Sequence, residues 1–136
     1  MANNILITGI TGFVGSHLCD YILNNHKEVK IYGTKRYHLS RLEHVKHFYS
    51  RVNWIDCDIT DSRATLELIE ETNPDIIFHC AAESFVSPSW RHPRRYMDVN
   101  YLGTVNLLDA IQKLNKKDTI FHIPGSGEEY GLVYED

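Results

Sequence analysis

Three glycines lie close together near the amino terminus, in the stretch TGITGFVGSHL that runs from Thr8 to Leu18. Gly9, Gly12 and Gly15 follow a short apolar run, and apolar residues at helical spacing come after them. Glycine permits a tight turn and lets a ligand approach the backbone without meeting a Cβ atom. The unpaired N–H groups and the dipole at the start of a helix favour a bound phosphate. The stretch therefore predicts a strand, a turn and a helix that bind a diphosphate; the alternative is a tight turn without a ligand.

The second candidate is the end of the next predicted strand, where Gly33 is followed by Thr34, Lys35 and Arg36. Sites for NAD place an acidic residue here that binds the ribose 2′-hydroxyl, whereas sites for NADP offer an arginine. This tip carries two cations and no acid, and Arg36 can bind a phosphate through two parallel hydrogen bonds. The pattern favours NADP over NAD as the cofactor; the alternative is a solvated basic tip.

Two more stretches follow predicted strands and are expected at the same edge of the sheet. Asp58 and Ile59 come after the third strand, and Asp58 can accept a hydrogen bond from the amino group of adenine. Ala81 and Ala82 come after the fourth strand, where small side chains let a flat cofactor lie across the strand end. We expect all four residues to contact the cofactor; the alternative for the two alanines is packing alone.

The elements that must position these residues alternate between strands and helices. Apolar runs predict strands at Ile5–Thr8, Val29–Gly33, Val52–Asp56, Asp75–Cys80 and Thr119–Ile123. Helical spacing predicts helices at Phe13–Asn25, Ser40–Tyr49, Asp61–Thr72 with Thr60 as its cap, and Pro93–Leu114. This alternation predicts an α/β fold with a parallel, doubly wound (Rossmann) sheet in the strand order 3-2-1-4-5.

The composition is that of one ordinary globular domain, with 136 residues of which 43% are hydrophobic and 24% charged. The formal net charge of −4 argues against a general nucleic-acid or membrane surface. No segment approaches the roughly 18 consecutive apolar residues of a membrane span. Cys19, Cys57 and Cys80 are odd in number and far apart, which indicates reduced cysteines in a cytoplasmic protein. His44 and His47 have no third ligand nearby, so we expect no metal site.

Five motifs occur together in an order that resembles a known family. They are TGITGFVGSHL, DCDITD, FHCAAESFV, VNYLGTVNLLDA and GSGEEYG. The set resembles the extended short-chain dehydrogenase/reductases, more narrowly their nucleotide-sugar branch, and within it the GDP-mannose 4,6-dehydratases. The stretch GTKRYHLSRLEHV is similar to the basic segment with which those dehydratases bind NADP and join subunits. The resemblance spans the whole chain but only the amino-terminal part of the family's usual length.

The resemblance implies a role for each matching residue. The residues that match the diphosphate loop are Gly9, Thr11, Gly12, Phe13, Val14 and Gly15. Arg36 matches the residue that binds the 2′-phosphate, and Ser84 matches a position that touches the substrate. Ser126 matches the hydroxyl that binds the 4-oxygen of the sugar. Glu128 matches the base that removes the proton from carbon 5, a role that suits a carboxylate whose pKa is raised by partial burial. The alternative for Glu128 is a solvated loop position.

The reaction that the resemblance implies is redox-neutral. A hydride leaves carbon 4 of the hexose, a proton leaves carbon 5, water leaves carbon 6 and the hydride returns to carbon 6. The substrate would be GDP-mannose, the cofactor NADP, and the full-length enzyme a homo-oligomer. The family also uses a Tyr-x-x-x-Lys pair, and no lysine in this chain has a tyrosine four residues earlier. We therefore expect residues 1–136 to form an incomplete NADP-binding domain, lacking the last strands and the substrate domain and inactive alone.

The helix predicted at Pro93–Leu114 is expected to have one core face and one contact face. The core stripe is expected at Val99, Leu102, Val105, Leu108 and Ile111. The opposite face, with Tyr101 and Leu107, is expected to contact another subunit. Asn100 and Thr104 are expected to form structural hydrogen bonds near the site.

Two other functions remain open on sequence grounds. One is a related enzyme, a 4-keto-sugar reductase or a nucleotide-sugar 4-epimerase; epimerases typically lack an acid at the position of Glu128. The other is a nucleotide-binding module without catalysis. Co-purified NADP would argue against a module without a ligand, and conversion of GDP-mannose without net NADPH oxidation would separate a dehydratase from a reductase.

Overall fold

The computed structural model describes residues 4–132, and the side chain of Glu128 lies outside this description. One sheet of five parallel strands has the order β3-β2-β1-β4-β5. The strands are β1 (Asn4–Thr8), β2 (Lys30–Lys35), β3 (Asn53–Asp56), β4 (Ile76–His79) and β5 (Ile120–His122). The predicted doubly wound parallel sheet and its strand order are confirmed.

Helices lie between the strands. The α-helices are α1 (Phe13–Asn25), α2 (Ser62–Thr72), α3 (Val86–Ser89), α4 (Pro93–Tyr96) and α5 (Gly103–Lys113). A π-helix at Met97–Leu102 joins α4 to α5, and 3₁₀ segments occupy Tyr37–Leu39, Glu43–Arg51 and Gly127–Tyr130. Within residues 4–132, no helix combines the length and the apolar character needed to cross a bilayer.

The central strand β1 supplies both faces of the core because successive side chains on a strand point in opposite directions. Ile5 and Ile7 pack in one buried cluster, and Leu6, between them, packs in another. The first cluster includes residues of α1 and of the 3₁₀ segment Glu43–Arg51. The second includes residues of α2 and α5. The sheet is therefore covered on both faces, as its continuous apolar strands predict.

The segment predicted as a helix at Ser40–Tyr49 is a 3₁₀ helix at Glu43–Arg51. Its apolar residues are spaced by three: Leu42 packs against the first core cluster, and Val45 and Phe48 are fully buried within it. A 3₁₀ helix has three residues per turn, so residues three apart lie on one face. The spacing of the apolar residues therefore suits the tighter helix.

The cap of α2 is Asp61, one residue after the predicted Thr60. Asp61 Oδ1 accepts hydrogen bonds from the backbone N–H groups of Arg63 at 2.8 Å and Ala64 at 3.1 Å. The Thr60 hydroxyl instead donates to Asp58 Oδ1 at 2.8 Å. An N-cap must accept from the second and third residues of the helix, and Asp61 is the residue at that distance.

The predicted core stripe of the long helix is confirmed at Val99 and Ile111, which pack against the second core cluster, and is wrong at its three middle positions. Leu107, expected on the outer face, is 0% exposed, whereas Leu102, Val105 and Leu108 are 44%, 39% and 45% exposed. Residues three apart on an α-helix are separated by about 300° around its axis, which is short of a full turn. Five residues at this spacing therefore spread over most of the circumference and cannot all lie on one face. The π-helix adds a further change of phase before α5. The buried face of α5 is formed by Gly103, Leu107 and Ala110.

Candidate functional site

Two clefts adjoin at the carboxyl ends of the strands, where ligands bind in open α/β sheets. Of the predicted site residues, the first cleft is lined by Gly9, Thr11, Gly12, Arg36, Asp58, Ile59, Ala81 and Ala82. The second is lined by Gly9, Gly12, Phe13, Val14, Gly15, Ala81, Ala82, Ser84 and Ser126. The two clefts share the glycine turn and the segment after β4. The structure thus brings together every predicted site residue whose side chain it describes.

The turn between β1 and α1 requires glycine at two positions. Gly9 has φ of +67°, and a Cβ atom there would lie 2.6 Å from the backbone nitrogen of Ala81. A Cβ atom at Gly15 would lie 2.5 Å from the carbonyl oxygen of Gly9. The turn is closed by a hydrogen bond of 2.9 Å from the Gly12 N–H to the Gly9 carbonyl. The glycines are needed because the backbone packs against itself and against the end of β4.

The start of α1 provides donors for an anion. Gly12 is the N-cap and has no side chain to cap the helix. The first N–H groups of a helix have no acceptor within it, and the dipole adds positive potential there. Phe13 and Val14 are exposed and line the second cleft, so the start of the helix is accessible. This donor set fits a diphosphate group.

The two cations at the end of β2 have different environments. Lys35 Nζ lies 2.6 Å from Asp56 Oδ1, a carboxylate of the neighbouring strand β3. Arg36 is half-buried and lines the first cleft, and its backbone N–H donates to Ser40 Oγ at 2.8 Å. Ser40 also lines this cleft. Sequence reasoning missed Ser40, because only the fold of the loop shows that its hydroxyl turns back toward the end of β2.

The loop after β3 has a fixed shape. Asp58 Oδ1 accepts hydrogen bonds from both the backbone N–H of Thr60, at 3.0 Å, and its hydroxyl. Ile59 is buried, and its side chain occupies the space where a Cβ atom at Gly103 would lie, 2.7 Å away. Cys57 is also buried, and burial raises the pKa of its thiol to about 12. Cys57 is therefore an inert wall of the cleft and not a nucleophile.

The segment after β4 is held against the π-helix by side chains. The Asn100 amide oxygen accepts from the Glu83 N–H at 2.8 Å, and its amide nitrogen donates to the Glu83 carbonyl at 2.9 Å. Arg95 Nε donates to the Glu83 carboxylate at 2.8 Å. The structural hydrogen bonds expected of Asn100 and Thr104 are present, since the Thr104 hydroxyl donates to the Asn100 carbonyl at 2.8 Å. Arg95 was missed because no pattern in the sequence links it to Glu83.

The candidate substrate-binding residue Ser84 and the candidate catalytic residue Ser126 lie at the second cleft. Ser84 and Ser126 are exposed and both line it. The Ser126 N–H donates to Glu129 Oε1 at 3.0 Å, which orients the chain just before the 3₁₀ turn Gly127–Tyr130. Glu128 belongs to this turn, but its side chain lies outside the described part of the chain.

A parallel sheet in this order, with a glycine turn leading into a helix at the switch between β1 and β4, defines a Rossmann-type dinucleotide-binding domain. A family model described as GDP-mannose 4,6 dehydratase matches residues 6–136. The chain belongs to this family.

The relatives agree with the fold and the family. The GDP-mannose 4,6-dehydratase of Vibrio cholerae serotype O1 is 36% identical over 139 residues, covering 96% of this chain and 37% of that protein. The dTDP-glucose 4,6-dehydratase of Bacillus anthracis, solved in complex with NAD, superposes with a TM-score of 0.80 at 27% identity over 99% of this chain and 41% of that one. The UDP-glucose 4-epimerase of Brucella ovis, also solved with NAD, superposes with a TM-score of 0.82 at 25% identity, over 98% of this chain and 39% of that one. The chain therefore spans well under half the length of these relatives.

Proposed function

We propose that residues 1–136 are the cofactor-binding part of an NADP-dependent GDP-mannose 4,6-dehydratase, a lyase that forms GDP-4-keto-6-deoxymannose. The observation that carries this proposal is the pair of clefts that meet at the glycine turn. Of these two clefts, Arg36 lines the first, and Ser84 and Ser126 line the second. A cofactor bound across the turn would have a cation for its 2′-phosphate on one side and hydroxyls for a sugar on the other.

The residues for the cofactor have complementary tasks in this proposal. The N–H groups at the start of α1 bind the diphosphate, and Arg36 binds the 2′-phosphate. Asp58 accepts from the adenine amino group, and Ala81 and Ala82 leave room for the cofactor above the end of β4. NADP supplies a reversible hydride acceptor to the site. Its phosphate also explains why an arginine is useful where an acid would suit NAD.

The residues for the sugar act through a hydrogen bond and a proton transfer. The Ser126 hydroxyl binds the 4-oxygen of the hexose, and Ser84 contacts the substrate. The Glu128 carboxylate accepts the proton of carbon 5, which becomes acidic once carbon 4 is a carbonyl. The 6-hydroxyl then leaves as water with that proton, after which carbon 6 would accept the hydride that left carbon 4 and carbon 5 would regain a proton. In this proposal the full-length protein is a homo-oligomer in the cytoplasm, without a nucleic-acid or membrane partner.

A 4-epimerase is the second candidate, because the Brucella ovis epimerase superposes on this chain with a TM-score of 0.82. The two candidates differ in their products. A dehydratase releases water and forms a 4-keto-6-deoxy sugar, whereas an epimerase returns a sugar of unchanged mass. Glu128 favours the dehydratase, because epimerization at carbon 4 needs no base at carbon 5.

The experiment incubates the full-length protein that carries this chain with GDP-mannose and NADP⁺, and follows the product by mass spectrometry and NADPH by absorbance. We expect a product lighter by one water, with no net NADPH change. Glu128→Gln should abolish the product while sparing NADP⁺ binding, and Glu28→Gln, in an exposed turn, is the matched control. A product of unchanged mass would support the epimerase instead, and full turnover by Glu128→Gln would refute the proposed base.

A further inference from the structure

His79 is a buried histidine to which the proposed function gives no task. It is the last residue of β4, 4% exposed, and lies in register with Thr8, the last residue of β1. His79 Nδ1 lies 2.6 Å from the Thr8 hydroxyl oxygen, and Nε2 lies 3.0 Å from the Thr104 hydroxyl oxygen on α5. The ring therefore bridges two strand ends and a helix directly behind the second cleft, which it helps to line.

The neighbouring hydrogen bonds determine the tautomer of the ring. The Thr104 hydroxyl has one proton, which it donates to the Asn100 carbonyl at 2.8 Å. Its oxygen can therefore only accept at the 3.0 Å contact, so the proton on that side belongs to His79 Nε2. Burial lowers the pKa of His79 to about 4 and keeps the ring neutral. In a neutral ring Nδ1 is then bare and accepts from the Thr8 hydroxyl.

The bridge continues into the segment that lines both clefts. The Thr8 oxygen accepts from the Ala81 N–H at 3.3 Å, so Thr8 both donates to the ring and receives from the chain beyond it. At the other end, Asn100 binds the N–H and the carbonyl of Glu83. The segment from His79 to Glu83 is thus attached at both ends to the helix that carries Asn100 and Thr104.

This attachment matters because the segment touches the glycine turn. The backbone nitrogen of Ala81 lies 2.6 Å from the place where a Cβ atom at Gly9 would be. Two backbones in direct contact move together, so a shift of the segment changes the turn. Gly9 directly follows Thr8, whose hydroxyl is hydrogen-bonded to the His79 ring.

We propose that His79 is a positioning residue: through its Nε2–H tautomer it orients the hydroxyls of Thr8 and Thr104 and so sets the distance between the glycine turn and the Ala81 segment. The assignment of the His79 tautomer does not depend on any ligand. The consequence for cofactor binding rests on the proposed function, since it requires that NADP occupies these clefts.

The first experiment observes the ring by ¹⁵N NMR of histidine-labelled chain at pH 7, with the His79 signals assigned by their loss in His79→Gln. We expect a protonated Nε2 and a bare Nδ1. A protonated Nδ1, alone or together with Nε2, would overturn the proposal. This measurement needs no cofactor and no turnover.

The second experiment measures the dissociation constant of NADP⁺ by calorimetry. His79→Phe keeps a ring but makes no hydrogen bond, and we expect it to weaken NADP⁺ binding about tenfold. His79→Gln offers a donor and an acceptor and should restore most of the affinity. Thr104→Val removes the hydroxyl that accepts from His79 Nε2, at nearly constant side-chain volume, and should also weaken NADP⁺ binding. This variant tests the proposal if His79→Phe does not fold.

A matched control separates positioning from general loss of stability. Ile77 lies two residues before His79 on the same face of β4 and is fully buried. Ile77→Ala should lower the melting temperature but leave the dissociation constant unchanged. Equal loss of affinity in Ile77→Ala and His79→Phe would refute the positioning role. Absence of NADP⁺ binding by the unmodified protein would refute the proposed function and, with it, the cofactor role, whereas normal binding that His79→Phe leaves unchanged would refute the role of His79 alone.

Discussion

Lys35 and Asp56 form an ion pair across neighbouring strands, with 2.6 Å between the ammonium nitrogen and a carboxylate oxygen. The carboxylate balances the charge of Lys35 and holds its side chain along the sheet. Arg36, the next residue, lines the first cleft beside Lys35. The two cations differ because Asp56 balances the charge of Lys35, which makes Arg36 the better candidate to bind an anionic group of a ligand.

Arg36→Ala should lower the affinity for NADP⁺ about 10- to 100-fold, the loss typical of a charge-assisted hydrogen bond. NAD⁺ lacks the 2′-phosphate, so its affinity should change little. Titration calorimetry with both cofactors measures the difference. Lys35→Gln is the control and should keep the preference for NADP⁺. Equal losses for both cofactors in Arg36→Ala would contradict a role in recognising the phosphate.

Gly15→Ala should destabilise the fold by about 1–3 kcal/mol and weaken NADP⁺ binding, because the new Cβ atom would lie 2.5 Å from the Gly9 carbonyl oxygen. The backbone of the turn must move to relieve this contact. Gly127→Ala is the matched control, since a Cβ atom there would have no described atom within 4 Å apart from its chain neighbours. Denaturant unfolding and calorimetry test both variants, and identical behaviour of the two would argue against a packed turn.

The sequence alone predicts the features that depend on the periodicity of apolar residues and on the conformational freedom of glycine. The apolar run around Ile5 and Leu6 predicts a buried central strand, and the glycines at 9, 12 and 15 predict the turn. These signals are local, and the sheet order follows from general rules of connection. The predicted cleft residues came together because parallel strands all end at one edge of the sheet.

The features that the sequence did not predict depend on tertiary contacts. Leu107 is buried because its face of α5, which it shares with Ala110, packs in the second core cluster, and the face that a helix turns to the sheet is decided by tertiary packing. In the sequence, His79 is one more residue of an apolar strand. Its hydrogen bonds to Thr8 and Thr104 are not visible there because these residues lie 71 and 25 positions away. Contacts across such separations become visible only when the fold is known.

Asp61→Ala should lower the stability of the protein by about 1 kcal/mol, because the N–H groups of Arg63 and Ala64 would lose their acceptor. Asp61→Asn keeps an amide oxygen at the same place and is expected to retain most of the stability. Chemical denaturation of both variants measures the difference. A loss in Asp61→Asn as large as in Asp61→Ala would mean that the negative charge, and not the cap, is what matters.

The stability of the protein should fall in acid in a way that depends on His79. Burial lowers the pKa of His79 from 6.5 to about 4, so between these values the unfolded chain binds a proton that the folded chain excludes. The stability that comes from keeping the ring neutral is therefore complete above pH 6.5 and is lost as the pH falls toward 4, by about 3 kcal/mol in total.

Comparison with His79→Gln isolates this contribution, because the variant retains every carboxylate that also titrates in acid. Unfolding free energies of both proteins, measured by denaturant at several pH values, should converge as the pH falls from 7 to 4, since only the unmodified chain gains a proton at this position on unfolding. Curves that stay parallel over this range would mean that the folded protein accommodates a charged ring. In that case Nδ1 would carry a proton, the Thr8 hydroxyl would have no acceptor at the ring, and the tautomer assigned to His79 would be wrong.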